Sequence, residues 1–463
     1  MNRSEAEDYI YESYMRAEKE WEFHEKDEKK RNPLFSRDII RNISKKPGIT
    51  ITGSKGKGSV ARMIASILNS SLKVGLMTSP HLVDFNERFQ IGNQPISDEA
   101  FIYYVKKAKN LFDKIQGTLK KGECISPIGI QCVIALLYFG ENHTDINVFE
   151  GGKGVKYDDV NNIPHDYSVM NTIFLEHTRE LGSSLEEITK DKACIITGHE
   201  KCVYVAEQKK EVYEIIRQRA EEMHVPMKVY GRDFYAQNIQ FTKQGMEFDV
   251  VIEKKVYENL CIPLLGEHQA KNCALALALC SQLLDISSAW DSIKNNLSCM
   301  EWPGRMEIIS HEPFVLLDAC INRESAYRVL DVLEKLGMDE VVTIIGIPDD
   351  KDYAGVASVL EKFSRWMILT KSTNKHYIFS AEQRTVLEKQ FENKNVELET
   401  TQDILSAINL ALEKNLPIVI LGTTSLIADV KRMDRKFGGD FNEKNCSLSE
   451  RNRIYSKICW LDC

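Results

Sequence analysis

The chain has 463 residues, a net charge of −8, 43% hydrophobic and 28% charged residues. This is the composition of a globular protein with room for two or three domains. The acidic balance argues against a nucleic-acid partner, because phosphate backbones demand basic faces. Residues 5–46 read as charged helix, with Tyr9, Tyr11, Tyr14, Met15, Trp21 and Phe23 as packing candidates. Apolar, β-branched runs then alternate with amphipathic helices. The runs are Ile49–Thr52, Val74–Thr78, Asn147–Phe149, Ser168–Ile173 and Cys202–Val205. That alternation predicts a mainly parallel sheet wrapped by helices. Within 226–264, Met227–Tyr230, Met246–Ile252 and Leu260–Pro263 read as short antiparallel strands. Gly266–Leu284 reads as a long helix and Leu297–Pro303 as a linker. A second α/β unit follows, with strands at Phe314–Leu317, Val341–Ile345, Trp366–Leu369 and Pro417–Leu421, and a polar tail from Asp434. The expected domains are 1–298, with a helical extension over 1–46, and 308–463.

Two negative signals set the compartment. No apolar run reaches the ~18 residues of a membrane helix, and Met1–Asp8 is acidic with no apolar signal core. None of the twelve cysteines forms a Cys-x-x-Cys pair, which argues against zinc. Cys132, Cys273 and Cys280 sit in apolar runs and read as small buried hydrophobes. Cys459 and Cys463 read as surface thiols. A reducing cytoplasm is the expected location.

The segment from Gly48 to Met63 carries the densest chemistry. A short strand runs into Gly53, Ser54, Lys55, Gly56, Lys57, Gly58 and Ser59, and a helix follows. Glycines let backbone N–H groups face an anion, and a helix N-terminus adds partial positive charge. Lys57 can reach terminal phosphates, and the Ser59 hydroxyl can hold Mg²⁺. The spacing departs from the standard nucleotide loop, and the alternative is a plain glycine-rich turn.

Together with Thr78-Ser-Pro-His-Leu-Val-Asp-Phe-Asn-Glu-Arg88, that loop resembles the folylpolyglutamate synthase branch of the Mur ligase family. The resemblance continues in order through Glu150–Asn161, Leu175–Gly182, Lys192–Ile196, Gly266–Asn272, Trp302–Glu307, Asp318–Asn322, Asp350–Asp352 and Gly422–Ser425. It implies a P-loop-type, mainly parallel ATPase domain followed by a smaller doubly wound, Rossmann-like domain. It also implies ATP- and Mg²⁺-dependent amide formation: a carboxylate becomes an acyl phosphate, an amine attacks, and ADP and phosphate leave. Lys57, His177 and Lys192 take catalytic positions in that scheme. Ser59, Glu150, His177 and a carbamylated Lys192 would serve the metal. Asn272, Arg305 and Asp318 join Gly53–Ser59 around the nucleotide. Ser79, His81, Lys156, Asp158, Ile321, Arg323 and Ser425 fall at substrate positions, and Lys351 at a domain interface. Read alone, Glu150 is a site carboxylate or a solvated loop acid, His177 is a ligand or structural, Lys192 is an ordinary helix lysine, and Asp350–Asp352 is an exposed charge cluster.

Three departures from the family pattern stand out. Asp318-Ala-Cys-Ile-Asn-Arg323 replaces Asp-Gly-Ala-His-Asn-Pro, which puts Ile321 where a histidine would hold the incoming glutamate. Lys156-Tyr-Asp-Asp-Val-Asn161 replaces Arg-Leu-Asp-Ala-Thr-Asn, and Lys55 replaces an asparagine. The expected protein is therefore a cytoplasmic, monomeric ligase of small-molecule carboxylates and amines, with altered acceptor and amine pockets. Folate polyglutamylation and a nucleotide-binding scaffold without turnover are the alternatives.

Overall fold

The computed structural model describes residues 1–21, 27–46, 48–242 and 244–436. Phe23, Cys446, Cys459, Cys463 and the tail beyond residue 436 lie outside them. The described chain separates into two compact units that do not follow chain order. The first comprises Met1–Asn238, Phe248–Leu260 and Ala270–Met300. The second comprises Ile239–Glu247, Cys261–Gln269 and the chain from Glu301 onward.

The first unit is built on an eight-stranded sheet. Its strands are β1 (Gly48–Thr52), β2 (Val74–Met77), β3 (Phe89–Ile91), β4 (Gln94–Pro95), β5 (Ile146–Glu150), β6 (Tyr167–Met170), β7 (Cys202–Val205) and β8 (Met227–Val229). Their order is β4-β3-β2-β5-β1-β6-β7-β8. From β2 to β8 every pairing is parallel, and β3 and β4 add an antiparallel edge. Gly48-Ile-Thr-Ile-Thr52 and Ile146-Asn-Val-Phe-Glu150 are buried at every position. Burial without alternation is what strands covered on both faces show. One face packs an aromatic core of Phe85, Phe89, Phe101, Phe112, Phe139 and Phe149, on which the N-terminal helix Arg3–Glu18 lays Ala6 and Ile10. In that helix Ile10, Ser13 and Ala17 turn inward, whereas Met15, expected to pack, is exposed. The helix Lys210–Glu222 buries Val212, Ile216 and Ala220, one helical stripe, in a second core.

One expectation for 226–264 is corrected. Met227–Val229 is not part of a small antiparallel sheet but pairs parallel with β7 as the sheet edge. The separate three-stranded sheet contains β9 (Phe234–Thr242), which the sequence pattern did not reveal, with β10 (Gly245–Ile252) and β11 (Lys255–Ile262).

The second unit holds a six-stranded sheet. Its strands are β12 (Glu307–His311), β13 (Phe314–Asp318), β14 (Val341–Gly346), β15 (Ser364–Leu369), β16 (Glu397–Thr400) and β17 (Ile418–Gly422), ordered β12-β13-β17-β14-β15-β16. All neighbours are parallel except β12. The expected α/β pair is thus present: a mainly parallel sheet and a smaller doubly wound one. Among the described residues, no helix is long and apolar enough to cross a membrane.

Candidate active site

In open parallel sheets, ligands bind beyond the carboxyl ends of the strands. Loops carrying the predicted residues of the first unit leave that edge: 53–59 after β1, 78–88 after β2, 150–158 after β5 and 171–177 after β6. Ile51 of β1 is in register with Glu150 of β5. The sheet therefore fixes which side chains meet.

The glycine loop is held by backbone geometry. Gly53 and Gly56 adopt φ of +143° and +77°, and Gly56 caps the helix Lys57–Leu68, of which Gly58 and Ser59 form the buried first turn. A Cβ on Gly56 would lie 2.5 Å from Asn171 Nδ2, and one on Gly53 would lie 2.8 Å from Asn171 Cβ. Asn171 Nδ2 donates to Asn272 Oδ1 at 3.0 Å, so Asn272 supports the loop through Asn171. Ser54 exchanges hydrogen bonds with the backbone of Phe174, each 3.1 Å long, and Lys55 is exposed with its ammonium over the Phe174 ring. Lys57 Nζ donates to the carbonyls of Gly53 at 3.0 Å and Ser54 at 3.4 Å.

Glu150 is buried at the end of β5 and accepts from the Ser79 N–H at 2.9 Å. His81, two residues on, receives Arg88 Nε on its Nδ1 at 2.9 Å and leans on Phe85, with ring centroids 5.2 Å apart. Burial, then the Arg88 charge, holds its imidazole below the usual histidine range.

Lys192 is completely buried. Its Nζ lies 3.0 Å from the Gly53 carbonyl, 2.6 Å from the Lys153 carbonyl and 3.3 Å from Glu176 Oε1. Burial, reinforced by the nearby Lys57 ammonium, pulls its pKa down to about 8. His177 takes a left-handed φ of +48°, and burial lowers its pKa against the pull of Glu176. Lys57 and Lys192 thus share one carbonyl oxygen, an arrangement that gathers positive charge at the mouth of the loop.

Asp158 is buried and accepts from the Gly152 N–H at 2.5 Å, and burial raises its pKa. It borders a cleft of about 390 Å³ with Arg31, Lys156, Tyr157, Glu180 and Asp191. Lys156 is exposed, its ammonium over Tyr157. The adjacent Asp159 is turned inward instead, hydrogen-bonded to Ser36, and burial pushes its pKa to about 6. Gly129 passes so close that a Cβ there would lie 2.6 Å from Asp159 Oδ1 and 3.0 Å from Ser36 Cβ.

The second unit places its own residues at the carboxyl ends of its strands. Asp318 ends β13 and accepts from the Met306 N–H at 2.9 Å, while Arg305 beside it is exposed. Ile321 is half-buried. Arg323 begins the helix Arg323–Lys335 with its side chain exposed and its backbone N–H on Asp352 at 3.0 Å. Lys351 pairs with Asp350 at 2.9 Å. Ser425 Oγ accepts from Asn374 Nδ2 at 3.0 Å.

A Ser–His–Glu group in the first unit is structural. Ser168 Oγ and Glu200 Oε1 both meet Nε2 of His165, at 3.0 and 3.1 Å, and His165 and Glu200 are buried away from every loop above. A nucleophile relay needs its acid on the other ring nitrogen. Here that nitrogen faces the Ile163 carbonyl. The described cysteines carry no disulfide, and no group of three or more His, Cys, Asp or Glu among the described residues is placed to hold a metal.

Residues 51–280 match the Mur ligase middle domain. That stretch is a Mur ligase middle domain. Among curated relatives it is 27% identical over 394 residues to the dihydrofolate synthase/folylpolyglutamate synthase of Bacillus subtilis, covering 82% of this chain and 89% of that one. It is 29% identical over 322 residues to the folylpolyglutamate synthase of Lacticaseibacillus casei, covering 67% and 73%. Among solved structures, Mycobacterium tuberculosis folylpolyglutamate synthase complexed with ADP and AMPPCP has a TM-score of 0.76 at 24% identity, over 87% of this chain and 94% of that one. Folylpolyglutamate synthase from Thermotoga maritima has a TM-score of 0.77 at 24% identity, covering 93% and 96%.

Sequence reasoning missed Asn171, Glu176 as the partner of Lys192, and Arg88 with its Gln131 support. Asn171 follows the last residue of a central strand, a position that signals a loop contact. Glu176 meets Lys192 across 16 residues and another element, and the Gln131 that holds Arg88 is 43 residues away, so neither pairing leaves a local signal.

Proposed function

We propose that this chain is an ATP-dependent amide ligase. The observation that carries the reading is the loop 53–59, with Lys57 at its mouth, emerging beside the buried Glu150 at the carboxyl edge of one parallel sheet. A carboxylate oxygen attacks the γ-phosphorus, the bond to the bridging oxygen breaks, and ADP leaves. An amine then attacks the acyl carbon, phosphate departs, and the amine loses a proton. Phosphoryl transfer is mostly positioning and charge stabilisation. Backbone N–H groups at the start of the helix Lys57–Leu68 and the Lys57 ammonium meet the growing negative charge. Asn171 and Asn272 keep the loop in shape.

The donor set fits Mg²⁺, a hard cation that takes one or two protein oxygens and fills its shell from phosphate and water. Ser59 and Glu150 would hold it, and it would neutralise phosphate charge. His177, kept neutral, has a nitrogen able to serve a metal. Lys192 is an ammonium among acceptor oxygens and joins such a site only as a carbamate. A pKa near 8 leaves enough neutral amine to attack CO₂. With ¹³C-bicarbonate, a carbamate signal should grow as pH rises through about 8 and be missing in Lys192→Ala. Wild-type spectra without that signal at pH 9 would leave Lys192 uncarbamylated, its nitrogen held by the Gly53 and Lys153 carbonyls.

The relatives are named for folate chemistry, which favours folate polyglutamylation as the second reading. The proposed difference is in the amine pocket. Ile321 offers no hydrogen bond to a carboxylate, and one unmet buried polar group costs about 1–3 kcal/mol. Either the amine is not glutamate, or Arg323 and Ser425 bind its carboxylates. Phosphate release across a panel of carboxylates and amines decides between these readings. Turnover with tetrahydrofolate or dihydropteroate plus glutamate supports folate chemistry. Turnover only with other pairs supports a changed substrate. Nucleotide binding without turnover on any pair would sink the ligase reading and leave a scaffold. If glutamate is the preferred amine and Arg323→Ala leaves its KM unchanged, the altered-pocket argument fails.

A further inference from the structure

The loop after β2 contains a histidine whose protonation state is dictated by its neighbours. Arg88 Nε, which always carries a proton, points at Nδ1 of His81 from 2.9 Å. An arginine nitrogen can only donate, so Nδ1 must offer its lone pair, and the ring proton sits on Nε2. Arg88 cannot turn away. Its Nη1 donates to Gln131 Oε1 at 2.8 Å, Gln131 is anchored to the Pro127 carbonyl at 3.0 Å, and the guanidinium lies 4.8 Å from the centre of the Phe85 ring. It is itself 7% exposed. Protonating His81 would set an N–H against an N–H inside this cage.

Four charged groups face the ring: Arg88 and Glu87 from the same loop, Asp84 before them, and Glu7 from the N-terminal helix. The carboxylates pull towards the imidazolium and lose to burial and Arg88, so the group sits below the usual histidine range. Glu87 is occupied in part by the loop itself, accepting from the N–H groups of Leu82 at 2.8 Å and Val83 at 3.2 Å. His81 is partly exposed, and among the described residues no hydrogen bond reaches its Nε2. Two residues earlier, the Ser79 N–H holds Glu150.

We infer that His81 is a fixed hydrogen-bond donor, presenting Nε2–H to an anionic oxygen of the carboxylate substrate or its phosphorylated form, and that Arg88 is the positioning residue that locks this tautomer. His81 is therefore not a proton-transfer group, since no proton needs to leave or arrive during turnover. The inference rests on the ligase reading for its ligand, but not for the tautomer.

Two measurements on the full chain test it. Long-range ¹H–¹⁵N spectra of the ¹⁵N-labelled protein should show His81 as the neutral Nε2–H form from pH 6 to 8. Arg88→Met should restore an ordinary histidine titration. For activity, His81→Gln places an amide N–H near the Nε2 position, whereas His81→Ala and His81→Asn do not. With a substrate pair that wild type turns over, His81→Ala should lose about 10²-fold in kcat, the scale of one lost oxyanion donor. His81→Gln should stay within about 10-fold of wild type. A His81 ring protonated on Nδ1, or an imidazolium at pH 7, overturns the inference whether or not ligation is found. So does a glutamine variant as inactive as the alanine one, with both folded by circular dichroism. Because the spectra need no turnover, failure of the ligase reading is recognised separately, as a wild-type protein that joins no pair.

Discussion

Lys57→Ala should lower ATP turnover by about 10²–10³-fold, the cost of roughly 2.7–4 kcal/mol when one charge contact to a transition state is removed. Lys57 rests on the carbonyls of Gly53 and Ser54, bonds that hold its ammonium at the loop mouth until a phosphate replaces them. The loop itself should survive the change. Its shape comes from Gly53 and Gly56 at positive φ, the Ser54 bonds to Phe174 and the Asn171–Asn272 pair, none of which uses Lys57. The melting temperature should therefore stay close to wild type while turnover falls. Phosphate release with an active substrate pair, alongside a thermal melt, checks both halves. Wild-type turnover in the variant would make the loop a structural turn.

Glu200→Ala should destabilise the protein by about 3 kcal/mol at pH 6, because it strands a buried imidazole. Burial drags His165 down, but Glu200 and the Ile163 and Ile195 carbonyls outweigh it and raise its pKa. Burial pushes Glu200 up, and His165 with Thr197 reverse this, leaving it at about 2. The signs fix a window. A raised histidine pKa gives stabilisation that is complete below the unfolded value near 6.5 and is lost as pH climbs through the folded one. A lowered carboxylate pKa gives stabilisation that is complete above about 4.5 and is lost as pH falls towards 2. The pair therefore contributes fully between roughly pH 4.5 and 6.5. Denaturant titrations across pH 4–9 should show wild type losing part of its advantage over Glu200→Ala on the alkaline side. A difference between the two proteins that does not vary with pH would show that His165 is never charged.

The sequence made much of this legible, for physical reasons. Buried parallel strands write themselves as short runs rich in β-branched and apolar residues, so Ile49–Thr52 and Asn147–Phe149 fall within the observed β1 and β5. The loop at 53–59 announces itself by glycines whose positive φ no other residue takes easily. Order across the sheet left no trace. The sequence has no mark placing β5 between β1 and β2, and Met227–Val229 looked like its antiparallel followers until pairing with β7 assigned it elsewhere. Strand β9 escaped because its polar residues, such as Gln237, Asn238 and Gln240, blur the alternation. The site showed the same division. Lys57, Glu150 and Lys192 could be named from motif residues, but the single carbonyl of Gly53 that both lysines share, and the guanidinium behind His81, are products of distance in space.

The crowding of Gly129 against Asp159 and Ser36 limits the paths by which this protein could change. A methyl group at 129 would lie 2.6 Å from the Asp159 carboxylate, so no side chain fits while Asp159 stays inward. Gly129→Ala should be harmful in the present chain and less so when made with Asp159→Ala, which removes the obstructing oxygens but leaves the Ser36 Cβ at 3.0 Å; thermal melts of the single and double variants check this. The two positions are thus coupled by space: room for a side chain at 129 depends first on the Asp159 carboxylate and then on Ser36, whose Cβ stands 3.0 Å from the same point.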